Sequence, residues 1–161
     1  MEEKPNRYVA LAMETTGLDT RKDKMISIGA VGIVNDIILV SDSLEIDIDQ
    51  DINATTDLEA NAIEKLINFI GNATLVGHRI HFEVDMINEV LDKLDCGRLK
   101  NDALNIEVMH KKLNDISDKN FSLDELILAY KMQKPERISS ANDSFSIALL
   151  FLKMKNKLGL I

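Results

Sequence analysis

Residues 8–18, with the sequence Tyr-Val-Ala-Leu-Ala-Met-Glu-Thr-Thr-Gly-Leu, form the stretch that decides the fold of this chain. An apolar run of this length predicts a buried strand, and it leads into a single carboxylate, Glu14, and then a Gly turn. Side chains of a strand alternate between its two faces, so Ala10, Ala12 and Glu14 lie on one face and the intervening residues on the other. A carboxylate at the mouth of a buried strand is typical of α/β enzymes that hold a metal.

The same residues resemble the first motif of the DEDD-type (DEDDh) 3′-5′ exonucleases. This RNase H-like family includes the proofreading epsilon subunit of bacterial DNA polymerase III, and it writes the motif Asp-x-Glu-Thr-Thr-Gly. In this chain Ala12 replaces the leading Asp, whereas Glu14, Thr15, Thr16 and Gly17 match. The resemblance implies that Glu14 is a catalytic metal ligand and that Thr15, Thr16 and Gly17 contact the substrate.

A second motif of the family resembles residues 75–83, Leu-Val-Gly-His-Arg-Ile-His-Phe-Glu. Relatives place an Asp directly after the Phe, where this chain has Glu83. The longer side chain would hold a metal about an ångström or more out of place, which can cost on the order of 100-fold in rate. The resemblance implies that His78 and Phe82 bind the substrate. Without the resemblance, the spacing of His78 and His81 is more typical of hydrogen-bonded structural residues than of a transition-metal site.

The third motif of the family is a His, four further residues and an Asp at the start of the last helix. Residues 137–143, Arg-Ile-Ser-Ser-Ala-Asn-Asp, keep the Asp as Asp143, but Ile138 occupies the position of the His. Ile cannot accept a proton, so the usual general base is missing, a loss typically worth about 10² to 10⁴ in rate. The tyrosine variant of the family would need Tyr at position 139, which is Ser139.

The reaction that the resemblance implies is phosphodiester hydrolysis by two divalent metals, which oxygen ligands hold. Glu14, Glu83 and Asp143 are therefore the predicted catalytic residues and metal ligands. Because Ala12 lacks the carboxylate that would bridge the two ions, we expect at most one weakly bound Mg²⁺ or Mn²⁺. Departures at three motifs favour natural divergence over a single engineered inactivation at Ala12.

The rest of the chain fits an α/β domain with a mixed five-stranded sheet flanked by helices. The pattern predicts strands at 25–34 and 37–48, a helix from about 55 to 70, a strand at 73–77, a helix at 82–94, a strand at 103–108, and helices at 109–113, 123–130 and 140–158. A compact polar link at 49–57 stands where relatives carry a longer insertion. The resemblance implies the RNase H-like exonuclease fold with strand order 3-2-1-4-5, in one domain over residues 1–161.

Composition excludes several classes of protein. The 161 residues are 45% hydrophobic and 29% charged, and no apolar run is long enough to span a bilayer. The first residues lack the layout of a signal peptide, and the single Cys96 fits a reducing compartment, so we expect a cytoplasmic protein without membrane contact. A net charge of −8 argues against a protein that grips a long duplex.

Charge is unevenly distributed along the chain. Residues 131–161 carry six Lys or Arg against two acids. These cations form either a basic face beside the acidic cleft or the solvated flank of a helix. His110, between Met109 and two lysines, is predicted to lie on the surface of a helix.

Two functions remain open from the sequence. The first is a weak 3′-5′ exonuclease that acts on the 3′ ends of short single strands of nucleic acid or on nucleotides. The second is a catalytically inactive module that binds nucleic-acid ends or a protein partner through the same cleft.

Overall fold

A five-stranded mixed sheet forms the centre of the structure, a computed structural model that describes residues 6–48 and 57–158. Its strand order is β3-β2-β1-β4-β5, as the resemblance implied. The strands are β1 (Arg7–Thr15), β2 (Met25–Val34), β3 (Ile37–Asp47), β4 (Thr74–Gly77) and β5 (Ala103–Asn105). β1, β2 and β3 pair antiparallel, whereas β4 runs parallel to both β1 and β5. β1 is thus the central strand, and its end lies near the carboxyl end of β4.

The hairpin between β2 and β3 turns at the predicted position. Asn35 and Asp36 have φ of 53° and 63°, which is the left-handed pair that a two-residue hairpin turn requires. Asn and Asp tolerate this conformation better than most residues. The Asp36 carboxylate also accepts a hydrogen bond from Lys155 near the end of the last helix.

Over residues 6–48 and 57–158, five helices cover the two faces of the sheet. They are α1 (Asp57–Ile70), α2 (Ile80–Lys93), α3 (Ile106–Leu113), α4 (Leu123–Ala129) and α5 (Ser140–Leu158). One core cluster joins Val9 and Leu11 of β1 to α1 and α2, and the other joins Ala10 and Ala12 to α3, α4 and α5. The alternation predicted along β1 is therefore confirmed. Among the described helices, none is long and apolar enough to cross a bilayer.

The predicted strand at 103–108 is wrong in its second half. β5 ends at Asn105, and α3 begins directly afterwards at Ile106. The reason is a helix cap, because the Asn105 side chain accepts a hydrogen bond from the Glu107 backbone N–H. A side-chain cap also starts α4, where Ser122 and Glu125 form a reciprocal capping box. The predicted link at 49–57 lies, apart from Asp57 at the start of α1, outside the described residues.

Candidate functional site

Glu14 lies at the end of β1, on the face that α5 covers. Its side chain is exposed, and one carboxylate oxygen accepts a hydrogen bond of 3.3 Å from the Ser27 hydroxyl. The Ser27 hydroxyl in turn lies 2.6 Å from that of Ser140, the first residue of α5. This chain of contacts ties the end of β1 to β2 and to the start of α5.

Asp143 lies in the first turn of α5 and is half-buried. Burial raises the pKa of its carboxyl, the negative charges of Asp124 and Glu14 raise it further, and Lys134 opposes them. Its backbone N–H donates to the Ser139 carbonyl, which holds the first turn of the helix in place. Asp143 and Glu14 are therefore close enough to interact electrostatically.

Glu83 lies in the first turn of α2 and is only 6% exposed. Burial raises the pKa of its carboxyl well above the ordinary value, and the charge of Asp143 adds to this effect. A hydrogen bond from the Met13 backbone and the charge of Arg79 act in the opposite direction. One carboxylate oxygen, Oε2, is buried without a hydrogen-bond partner among the described residues. Such an orphaned oxygen is costly unless a proton or a cation satisfies it.

The structure thus brings the three predicted acids together from three separate segments, since Asp143 interacts with both Glu14 and Glu83. It does not preassemble them around an ion. Over residues 6–48 and 57–158, no group of three or more His, Cys, Asp or Glu side chains is arranged to hold a metal. The arrangement fits a single hard cation that binds one or two carboxylates and completes its shell with water or phosphate oxygen, as Mg²⁺ commonly does.

Two of the three positions that depart from the family pattern, Ala12 and Ile138, have no polar side-chain atom. Ala12 is buried at 5% exposure, on the same face of β1 as Glu14, and it offers no ligand. Ile138 is 78% exposed and lines a cleft beside Asp143. Neither residue can coordinate a cation or accept a proton.

This cleft has a volume of about 310 Å³ and lies between the start of α2, α4 and the segment before α5. Among the residues that line it are His78, Arg79, Asp124, Lys134, Arg137 and Ile138. A second cavity of about 420 Å³ shares His78 and Arg79 with the first, and Phe82 and Phe121 also line it. Sequence reasoning missed Arg79 and Asp124, and it noted Lys134 and Arg137 only as part of a basic segment.

His78 serves partly as scaffold. Its Nε2 lies 2.6 Å from the Phe121 carbonyl oxygen and 3.8 Å from the Glu107 carboxylate. Glu107 also accepts a hydrogen bond from the Phe121 backbone N–H. These contacts fasten the segment before α4 to the end of β4, while the His78 ring still lines both cavities. Whether His78 and Phe82 contact a substrate stays a prediction.

Thr15, Thr16 and Gly17 close the loop that follows β1. The Thr15 hydroxyl donates to the Gly17 carbonyl at 2.7 Å, and the Thr16 hydroxyl donates to the Asp23 carboxylate at 2.9 Å. A Cβ at Gly17 would lie only 2.4 Å from the Asp23 carboxylate. Both threonine hydroxyls thus have partners within the loop, and substrate contact by these residues also stays a prediction.

His110 is not a surface residue, and that prediction is wrong. Its side chain is 7% exposed, and Nδ1 lies 3.0 Å from the Tyr130 hydroxyl. Burial, with a smaller contribution from the charge of Lys157, lowers the pKa of the ring. The signal was available in the sequence, because Ile106, Met109 and His110 have the spacing of one buried helical stripe.

Replacing Glu83 by Gln is expected to stabilise the protein. The raised pKa means that the folded state binds a proton at Glu83 more tightly than the unfolded chain does, so this group lowers the free energy of unfolding as the pH rises from about 4.5 towards the raised pKa. Gln removes that cost, so we expect the free energy of unfolding to rise by about 1 to 3 kcal/mol at neutral pH and by much less near pH 4.5. Urea unfolding at both pH values measures it. Asp85→Asn, which removes an exposed carboxylate of the same helix, is the control, and an equal gain there would contradict the prediction.

Comparison with solved structures shows the same fold in several nucleases. The nuclease domain of 3′hExo, described as a DEDDh family member bound to rAMP, superposes with a TM-score of 0.73 at 12% identity and covers 97% of this chain and 94% of that one. Product-bound exonuclease I gives a TM-score of 0.77 at 9% identity and covers 97% of this chain and 45% of that one. At these identities the likeness shows the fold alone.

Sequence comparison finds DNA polymerases of one type among the relatives of this chain. DNA polymerase III of the PolC type from Caldanaerobacter subterraneus is 28% identical over 94% of this chain and 12% of that protein. The protein of the same name from Clostridium perfringens is 32% identical over 62% of this chain and 8% of that protein. The chain thus spans about a tenth of the length of these relatives, and no family model matches it.

The sheet order and the helices on both faces match the fold of the solved exonuclease structures. The chain has the RNase H-like fold of the DEDDh exonucleases, and its sequence is similar to a segment of DNA polymerase III of the PolC type.

Proposed function

We propose that this chain is an exonuclease-like domain that binds the 3′ ends of single-stranded nucleic acid and hydrolyses them only weakly in the 3′-5′ direction. The observation that carries the proposal is that the charge of Asp143 acts on Glu83 and the charge of Glu14 acts on Asp143, although the three acids come from three segments of the chain. Weak turnover follows from the buried Ala12 and the exposed Ile138, because the site lacks one ligand and its proton acceptor. The proposed location is the cytoplasm, because the nucleic acid on which such a domain would act lies there.

The proposed cofactor is one Mg²⁺ or Mn²⁺ ion, held by Glu83 together with Asp143. The orphaned Oε2 of Glu83 supports this assignment, because a cation would satisfy it. When bound, the ion would neutralise charge on the scissile phosphate and lower the pKa of a bound water. Glu14, which accepts a hydrogen bond from Ser27, would fix that side of the site. The residues that line the cleft would orient the terminal nucleotide.

A second candidate is a catalytically inactive module that binds nucleic-acid ends or a protein partner. The exposed Ile138 favours it, because an apolar side chain stands where a proton acceptor would be needed. The one imidazole among the described residues that line the cleft is His78, and its Nε2 is already in contact with the Phe121 carbonyl.

A nuclease assay separates the two candidates. The chain is incubated with a 5′-labelled single-stranded oligonucleotide and Mg²⁺ or Mn²⁺, with DNA tested before RNA because the relatives are DNA polymerases. A descending ladder that forms well above the rate of a Glu14→Ala, Asp143→Ala control supports the enzyme. Binding of the oligonucleotide without a ladder supports the inactive module as a binder of nucleic-acid ends, and no binding at all contradicts both the enzyme and that form of the module.

The metal has a readout that does not depend on activity. Mn²⁺ is expected to raise the melting temperature of the unaltered protein, because it binds the folded state only. Glu83→Gln should abolish most of that shift, and Asp85→Asn should leave it intact. An equal shift in all three proteins would place the ion elsewhere.

A further inference from the structure

Two arginines from separate segments meet at the cleft beside Asp143. Arg79 immediately precedes α2, and Arg137 lies just before α5, yet both line the same cavity of about 310 Å³. Lys134 lines it as well. The charged side chains around this cavity are thus three cations against two anions, Asp124 and Asp143, although the chain as a whole carries a net charge of −8.

The three cations differ in what they contact. Lys134 forms an ion pair of 3.0 Å with Asp124, so its charge is largely compensated. In the part of the chain that the structure describes, the guanidinium groups of Arg79 and Arg137 make no hydrogen bond and no ion pair, and both side chains are exposed. Arg7 shows the contrast, because its guanidinium is bound by Asp42 and by the carbonyl of Phe69. The charge of Arg79 acts on the Glu83 carboxyl, but no group holds either guanidinium among the described residues, so both cleft arginines can bind a ligand.

The chemistry of this pair selects a phosphate. A guanidinium presents a planar fork of N–H donors that matches the oxygens of a phosphate, and it keeps its charge at every physiological pH. The cavity also has apolar walls from Leu123, Ile127 and Ile138, which suit a sugar or a base rather than a second charge. The ligand class that fits both features is a nucleotide with a terminal or bridging phosphate.

We propose that Arg79 and Arg137 bind the phosphate of a 3′-terminal nucleotide directly, so that this chain holds nucleic-acid ends without a divalent metal. The inference rests on the proposed function and adds the group that binds the ligand. It also accounts for the absence of a carboxylate at Ala12, because two permanently charged guanidinium groups would neutralise the phosphate in place of a metal pair. Arg79 and Arg137 are binding residues in this view and take no part in proton transfer.

The test is a binding measurement with the metal removed. Fluorescence anisotropy of a labelled single-stranded oligonucleotide is recorded with the full chain in EDTA and again with Mg²⁺. We expect binding in EDTA that Arg79→Gln and Arg137→Gln each weaken by about tenfold, with a shallower dependence on salt concentration. Arg98→Gln makes the same change in charge at an exposed residue that lines neither cavity, and it should bind like the unaltered protein.

A competition experiment identifies the group that is recognised. A nucleoside 5′-monophosphate should displace the oligonucleotide in EDTA, and the corresponding nucleoside without phosphate should not. Displacement by both at equal concentration would overturn the inference, because the apolar walls would then provide the affinity.

The outcomes separate this inference from the proposed function. Binding that disappears in EDTA, returns with Mg²⁺ and is unchanged in both arginine variants would overturn the inference and leave the proposed function standing. Equal weakening in Arg98→Gln would also overturn it, because the effect would then be one of net charge. Absence of binding under every condition would contradict the proposed function itself. Circular dichroism of the variants verifies that each is folded, as their exposed positions lead us to expect.

Discussion

Restoring the three family residues together, by Ala12→Asp, Glu83→Asp and Ile138→His, is expected to raise the rate of 3′-end hydrolysis by orders of magnitude. A proton acceptor at position 138 alone is typically worth about 10² to 10⁴ in rate. Side chains two residues apart on a strand share a face, so Asp at position 12 would point to the same side as Glu14. The assay is the 5′-labelled oligonucleotide ladder with Mg²⁺, measured against the unaltered chain.

The restored protein should also depend on metal for its stability. Position 12 is buried, and an ionised carboxylate there has no cation to compensate it unless a metal binds. We therefore expect the triple variant to have a lower melting temperature than the unaltered chain in EDTA. Mg²⁺ or Mn²⁺ should raise the melting temperature of the variant back to that of the unaltered chain. This thermal shift is measured without substrate.

A matched control for the restoration adds Asp143→Asn to the same three substitutions. Asp143 interacts electrostatically with the other two acids, so its loss should abolish both the gain in rate and the thermal shift. A triple variant that folds, binds Mg²⁺ and hydrolyses 3′ ends no faster than the unaltered chain would contradict the assignment of the three motifs.

Local patterns predicted much of the fold because the forces behind them act over a few residues. The alternation along β1 depends only on the pleat of a strand, and the turn at Asn35 and Asp36 depends only on which residues tolerate a left-handed backbone. The capping box at Ser122 and Glu125 is likewise formed within one turn of a helix. In such cases the sequence contains both partners of the contact within four residues.

The predictions that failed concern competition between neighbouring signals. The apolar residues after Ala103 suit a strand, but the Asn105 side chain caps a helix at that point, and the helix begins. His110 was judged by its charged neighbours in the chain, whereas its position is decided by Ile106 and Met109 on the same helical stripe. Local charge is a weak guide where a helix face is buried.

The sequence indicated the acids of the candidate site but not the cations that line its cleft. Glu14, Glu83 and Asp143 stand in recognisable motifs, but nothing in the sequence indicates that Arg79 and Arg137, far apart along the chain, line one cleft. That proximity arises because the fold places the start of α2 and the segment before α5 at one cleft. Only the folded chain shows it.

Replacing Gly29 by Ala is expected to lower the free energy of unfolding by about 3 kcal/mol or more, because overpacking against rigid backbone is among the costliest single changes. A Cβ at this position of β2 would lie 2.2 Å from the carbonyl carbon and oxygen of Ser140 and 2.4 Å from the amide nitrogen of Ala141. Both neighbours are main-chain groups at the start of α5, so no side chain can rotate away. The helix must move or the strand must bend.

Movement of α5 would damage the site as well as the fold. The displaced turn contains Asp143, and the contact between the hydroxyls of Ser27 and Ser140 would be broken with it. Urea unfolding measures the loss of stability, and the Mn²⁺-dependent thermal shift measures the loss of the site. Gly97→Ala is the control, because a Cβ there meets no atom within 4 Å. If Gly29→Ala were as stable as Gly97→Ala and kept its response to Mn²⁺, the close seating of α5 on β2, and with it the placement of Asp143 beside Glu14, would be refuted.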